Sequence, residues 1–321
     1  MLDINVAQQG LFDESSRHGR FLEYVLPELD RIDINDLKGA LTNIIEYARS
    51  IDGLHLNLSF GSHCWDLLNP AWRPQELVPF TSLKAESQTT LENNLLSMPA
   101  SQGDIFIWLH SIDSELLPQT LIFIYQTMNS MVNLQLDIAG IKNKQSRDLI
   151  GFVDGTANAK DDQRLPIALI PEGQKGAGGS YVISQRWQHD LDKFNQLSLS
   201  AQEKVIGRTK EDDIELEGDA MAEDSHVSRT DVKVDGIGMK IYRRSSPYMA
   251  SQLDSQGQPD NGLYFLAFAS EMQRFTVQLD RMMGLTLDGI SDKLMQFSQV
   301  KNSSYWFMPS QNDLNQVLKC N

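Results

Sequence analysis

Three residues in the second half of the chain have side chains suited to a reaction centre: Asp154, His226 and Arg243. Arg243 ends the stretch Met239-Lys-Ile-Tyr-Arg243, in which apolar Met239 and Ile241 alternate with Lys240 and Tyr242. Strand side chains point to opposite faces in turn. Met239, Ile241 and Arg243 are therefore predicted to face inward, and Lys240, Tyr242 and Arg244 to face water. A guanidinium aimed at a core is costly unless an anion meets it. Asp154 is the candidate for that anion. It lies in Gly151-Phe-Val-Asp-Gly-Thr-Ala-Asn158, preceded by apolar Phe152 and Val153 and followed by Gly155. Asp-Gly is a tight-turn pair, and a surface turn is its ordinary reading. The apolar neighbours favour a place beside a core instead, where a carboxyl can hold a proton as a general acid or base must. His226 follows an acidic run from Glu211 to Asp224 that reads as a solvated loop.

The elements that position these residues show in the hydrophobic pattern. Residues 21–26 read as a first strand. Leu37, Leu41, Ile44, Ile45 and Ala48 recur at helical spacing behind Asn35, the expected N-cap. Leu54, Leu56, Leu58 and Phe60 alternate with His55, Asn57 and Ser59, which predicts a half-buried strand. A nearly continuous apolar strand covers 105–110. Pro118 sits in the first turn of a helix running to about Val132. Leu134, Leu136 and Ile138 alternate again.

The second half repeats this order. It has a strand over 239–243 and a mostly apolar strand over 263–269. Ser270 and Gln273 have capping-box spacing, and Met272, Phe275, Leu279, Met282 and Met283 form a helical stripe behind them. Tyr305 to Met308 reads as a closing strand. Each half thus pairs a buried strand with an amphipathic helix. The expected fold is α+β, a duplicated split β-α-β unit, with halves at 1–145 and 146–321 and the boundary in the polar segment 141–147.

Bulk properties exclude several classes. The 321 residues allow two domains of ordinary size. A formal net charge of −15 argues against a general nucleic-acid binder. The first residues lack a basic start and a long apolar run, so no secretory signal is expected. No apolar run is long enough to span a bilayer. Two cysteines, Cys64 and Cys320, suggest neither a disulfide framework nor a thiolate cluster. A cytoplasmic location is the default expectation.

Gly151-Phe-Val-Asp154-Gly-Thr resembles the Gly-x-x-Asp-Gly motif of the dye-decolorizing peroxidases, in particular their bacterial cytoplasmic branch. The likeness extends over nearly the whole chain. It includes Gly178-Gly-Ser-Tyr-Val-Ile-Ser-Gln-Arg-Trp187, Val205-Ile-Gly-Arg-Thr209, Ser225-His226 and Arg243-Arg-Ser-Ser-Pro-Tyr248, with the arginine 17 positions after the histidine. The resemblance implies two ferredoxin-like halves, with one haem b per chain held in the C-terminal half. It makes His226 the proximal iron ligand, a role a neutral imidazole suits. Asp292 would take the second imidazole N–H and push electron density toward iron. A helix-terminal acid is the plain alternative for Asp292.

On the open side of the haem, Asp154 would move a proton between the peroxide oxygens, and Arg243 would stabilise the charge that develops as the O–O bond breaks. Arg208 matches a propionate-binding arginine, with His189 a candidate for the other propionate. Phe265 would wall the haem. Ser245 would line the distal pocket at a position where the family often has asparagine. Trp187, Tyr242, Tyr248 and Trp306 are candidate electron carriers, although core packing is their more ordinary role. His18, His55, His63 and His110 are expected to be structural.

The expected activity is a haem-dependent peroxidase that cleaves hydrogen peroxide and oxidises phenols, dyes or other small one-electron donors. One alternative is a haem-handling, deferrochelatase-like protein with incidental turnover, which product analysis for iron-free porphyrin would reveal. Another is a cofactor-free binding module, which an absorption spectrum would reveal. The Asp154 motif speaks against a chlorite-decomposing enzyme. Open sheets of this kind have edges to cover, so a homo-oligomer is expected.

Overall fold

The computed structural model describes residues 3–28, 32–85, 90–91, 94–253, 257 and 259–319. Its centre is a closed ring of nine antiparallel strands, in two sheets. The first contains β1 (His18–Val25), β2 (Leu54–Phe60), β3 (Ile105–Ser111) and β4 (Asn133–Ile141) in the order β4-β1-β3-β2. Helix α1 (Ile34–Arg49) connects β1 to β2, and α2 (Leu117–Met128) connects β3 to β4. The second contains β5 (Ser180–His189), β6 (Tyr242–Arg243), β7 (Ser246–Leu253), β8 (Pro259–Ala269) and β9 (Ser298–Met308). Its order is β7-β8-β5-β9, with β6 also paired to β8. Helices α3 (Leu199–Ile206) and α4 (His226–Thr230) lie between β5 and β6, and α5 (Gln273–Met282) between β8 and β9. Each sheet is a split β-α-β unit, as the repeated pattern predicts. The two meet at seams of one residue pair each, Tyr248 with Gly140 and Phe307 with Phe60.

Both faces of these sheets are covered. Helices pack on the outer faces, where α1 buries Leu37, Leu41, Ile44 and Ala48. The interior between the sheets holds a second cluster that includes Phe21, Phe106, Trp108, Tyr264, Phe268 and Trp306. Phe21 and Tyr264 stack at 4.1 Å across it. Strand alternation therefore sorts residues between two buried environments, not between core and water.

Several expectations are corrected by this arrangement. β2 is not half-buried: Asn57 and Ser59 are fully buried, and Asn57 bonds Gln9 and His110. The regular strand at the arginines is only Tyr242–Arg243, and Tyr242 is fully buried. Arg244 does not face water. It is 3% exposed, donates to the carbonyls of Leu11 and Asp13, and lies over the Trp108 ring. Asp33, not Asn35, caps α1, because the helix begins at Ile34. α5 begins at Gln273, too late for Ser270 to cap it, and Glu76 accepts from the Met272 N–H at 2.7 Å. α2 stops at Met128, short of Val132.

Cys64 is a buried free thiol, while Cys320 lies outside the described residues. Among the described residues no helix is long and apolar enough to cross a membrane. Trp187, Tyr242, Tyr248 and Trp306 are all buried. Of the histidines expected to be structural, His55 meets Asp13, His63 meets Asp104, and His110 meets Ser16 and Asn57.

Candidate active site

A cavity lies on the outer face of the second sheet, under α4 and α5. The period-2 geometry of β5 and β8 builds its floor. Ile183, Gln185, Trp187 and His189 reach it from β5, and Leu263 and Phe265 from β8. The intervening Ser184 and Tyr264 face the interior between the sheets. Phe275, Gln278, Leu279 and Met282 close it from α5, and His226 and Thr230 from α4. A second opening, toward Arg208 and Glu215, shares Asp154, His226 and Arg243 with the first.

His226 is the first residue of α4, where Ser225 caps the helix through the Ser228 N–H. Its Nδ1 donates to Asp292 Oδ2 at 2.6 Å. That leaves Nε2 as the nitrogen available to the cavity, which His226 lines while 27% exposed. Asp292 is fully buried, and its other oxygen accepts from the Leu294 N–H at 2.9 Å. The ligand-orienting and helix-capping readings of Asp292 are thus both met, one by each oxygen.

Asp154 and Arg243 come to the same cavity from a loop and a strand, whereas His226 comes from α4. Arg243 Nε stands 3.9 Å from Asp154 Oδ1, an ion pair too long for a hydrogen bond, and each side chain is about one-fifth exposed. Both therefore retain hydrogen-bonding capacity for a small molecule between them. The loop carrying Asp154 is a hairpin. Arg147 pairs with Val153 through the backbone, and the Asp154 N–H donates to the Ser146 carbonyl at 2.8 Å. Gly151 and Gly155 both have φ of +93°, which glycine adopts without strain. A Cβ on Gly151 would also meet Lys210 at 2.4 Å.

Asn158 fixes this loop to Arg243. Its side-chain NH2 donates to the Arg243 carbonyl at 2.8 Å, and its Oδ1 accepts the Arg243 N–H at 2.9 Å. Nothing in the local sequence marks Asn158 for this role. An amide four residues beyond the acid means little until the chain partner is known.

The other predicted site residues fall in varied places. Phe265 lines the cavity, as does His189. His189 Nδ1 meets Ser298 Oγ at 2.6 Å, while its Nε2 lies 3.0 Å from Asp148 Oδ2 without a hydrogen bond among the described residues. Arg208 lines the second opening, but its guanidinium is held by Asp213 and Glu215 from the acidic run. Ser245 is 1% exposed, is not among the residues lining either opening, and its Oγ has no hydrogen-bond partner among the described residues. Asp148, which lines both openings, was not anticipated.

Apolar walls around one buttressed imidazole, with an acid and a guanidinium brought to the same cavity by other elements, suit a tetrapyrrole whose iron takes a single protein ligand. That combination defines a haem protein with polar groups retained for a bound reactant. Comparison with known proteins agrees. Residues 33–142 match the family model of the Dyp-type peroxidase N-terminal domain, and residues 145–313 that of the C-terminal domain. The chain is 32% identical over 260 residues to the dye-decolorizing peroxidase of Mycobacterium tuberculosis, covering 80% of this chain and 73% of that one. A solved Dyp-type peroxidase structure from Shewanella oneidensis superposes with a TM-score of 0.86 at 28% identity, covering 99% of this chain and 100% of that one. A Rhodococcus jostii DypB variant, solved in complex with haem, gives 0.85 at 27% identity, covering 97% and 98%. The chain belongs to the Dyp-type peroxidase family. It is a haem-dependent peroxidase, and the haem-handling alternative is not favoured.

Proposed function

We propose that His226 would hold haem iron through Nε2, and that Asp154 and Arg243 act on hydrogen peroxide bound in the same cavity. The observation that carries this reading is one cavity lined by all three side chains, with Asp292 buried behind the imidazole. Haem, when bound, supplies the redox-active iron that takes electrons from the donor. Asp292 keeps Nδ1 protonated, fixes the ring orientation and strengthens Nε2 as a donor. Asp154 takes a proton from the inner peroxide oxygen and returns it to the outer one. Arg243 stabilises the negative charge that develops on the departing oxygen. Asn158 holds the Arg243 backbone against the Asp154 loop while this occurs.

Phe265 walls the ring. Arg208 reaches a propionate by exchanging Glu215, the more exposed of its two acids at 51%. His189 lines the cavity with its Nε2 lacking a hydrogen bond among the described residues, and is assigned to the other propionate. The halves divide near residue 145. Exposed Ile141, Met249 and Leu253 on the adjacent strands β4 and β7 supply apolar surface for a homo-oligomer, which sedimentation tests. The buried thiol of Cys64 is compatible with a reducing cytoplasm, which cell fractionation tests.

The central test is the rate of reaction with hydrogen peroxide. Asp154→Asn and Arg243→Leu are each expected to lower it roughly 10²- to 10³-fold with haem still bound. An undiminished rate in both would remove their assigned roles.

A further inference from the structure

The short helix carrying His226 is gripped at two points by one loop, residues 284–292, and only one of those points is the His226–Asp292 hydrogen bond. The other is Arg229. It lies three residues after His226, on the neighbouring position of the same helix face. Arg229 is 2% exposed. Its Nη1 donates to Asp288 Oδ2 at 2.8 Å and its Nη2 to Asp288 Oδ1 at 3.1 Å, a two-bond fork. Its Nη2 also reaches Thr286 Oγ1 at 3.3 Å, and its Nε donates to the Arg281 carbonyl at 3.2 Å. Asp288 is four residues before Asp292. The arginine holds the Asp288 carboxyl well below the usual range, which agrees with a pair kept intact at working pH.

Further bonds make this a defined device. Asp288 Oδ1 accepts from Thr286 Oγ1 and from the Ile290 N–H, which gives the loop its own internal turn. The Asp292 N–H donates to the Met282 carbonyl at 2.9 Å, and Met283 pairs with Ser291. Arg281, at the end of α5, donates to the carbonyls of Ser228 and Arg229, which the short helix leaves unsatisfied. A five-residue helix has little stability of its own. Its orientation is therefore set by these outside bonds.

We propose that Arg229 and Asp288 are positioning residues that hold the Asp292 carboxylate in register with His226 Nδ1, and through that bond set the reduction potential of the haem iron. This rests on the assignment of His226 as the iron ligand. A strong bond from Nδ1–H to a carboxylate gives the imidazole anionic character, which favours the ferric over the ferrous state. Loosening the loop weakens that bond, so the potential rises. Neither Arg229 nor Asp288 lines the cavity, so the fork acts only through the His226–Asp292 pair that it positions.

The test uses the purified holoprotein with Arg229→Met, Asp288→Asn, Asp292→Asn and the Arg229→Met/Asp292→Asn double variant. The reduction potential is measured, together with the iron–histidine stretching frequency of the ferrous form. Arg229→Met and Asp288→Asn are expected to raise the potential and lower the frequency in the same direction as Asp292→Asn, by part of its effect. The double variant is expected to match Asp292→Asn alone, because the clamp has nothing left to position. If Arg229→Met destabilises the protein too far to purify, Asp288→Asn carries the test. A wild-type potential and frequency in the clamp variants, beside a shifted Asp292→Asn, would reduce the fork to a structural brace. No shift in Asp292→Asn itself would instead overturn the proximal assignment, and the clamp with it.

Discussion

Glu23→Gln probes a buried acid that ties the two sheets together. Glu23 lies on β1, 1% exposed, and its Oε1 accepts from Tyr264 Oη at 2.6 Å and from Ser184 Oγ at 2.9 Å on the second sheet. Trp306 Nε1 donates to the same Ser184 hydroxyl. Desolvation by burial pushes the Glu23 carboxyl up to about 7 from an ordinary 4.5, although these hydrogen bonds and the charge of Arg186 pull it down. A raised carboxyl pKa means that the folded chain holds the proton more tightly than the unfolded chain. The resulting stabilisation is complete below about pH 4.5 and is lost as pH rises through about 7. The gap of roughly 2.5 units corresponds to about 3 kcal/mol. Glutamine keeps the oxygen acceptor but cannot ionise. Urea unfolding of both proteins across this range isolates the group. The unfolding free energy of the wild type, less that of Glu23→Gln, is expected to fall by about 3 kcal/mol between the acidic and alkaline ends. A difference that stays constant with pH would refute the reasoning. The position matters to the site because Phe265, the residue after Tyr264, forms the cavity wall.

Two further predictions concern the support of Arg243. Arg244→Met leaves the Leu11 and Asp13 carbonyls without this donor, a loss of roughly 1–3 kcal/mol each, partly offset by removing a buried cation with no carboxylate bonded to it among the described residues. A net loss of about 2–4 kcal/mol in urea unfolding is expected, and unchanged stability would count against the anchoring role. Asn158→Ala removes both bonds to the Arg243 backbone, so the rate with peroxide is expected to fall roughly 10-fold with haem content unchanged. A wild-type rate would show that the loop holds Arg243 without it.

The duplicated α+β fold was legible because each half carries a buried strand followed by an amphipathic helix, a pattern that survives without knowledge of long-range contacts. What the sequence hid was the ring. Where both faces of a strand are covered, polar residues can be fully buried, and alternation no longer marks solvent. That is why Asn57, Ser59 and Arg244 were expected in partly wet places and are found inside. It is also why β5 was missed as an element: Ser184 and Gln185 interrupt its apolar run, yet Gln185 bonds Ser303 and Ser184 bonds Glu23. Asp154 was legible from its apolar neighbours and its glycine. Its partnership with Arg243 came from a correct inward direction for the arginine, reached from a strand longer than the one that forms. Asn158, Asp148, Arg229 and Asp288 have roles that depend on partners as many as 85 residues away, as for Asn158 and Arg243, and local spacing carries no trace of those.

The most direct measurement is a crystal structure of the haem-loaded protein. Iron is expected to be bonded to His226 Nε2 inside the cavity under α4 and α5, with the Asp292 bond to Nδ1 retained and Asp154 and Arg243 facing the iron from the side away from His226. Iron bonded to another residue, or haem seated outside that cavity, would contradict this assignment.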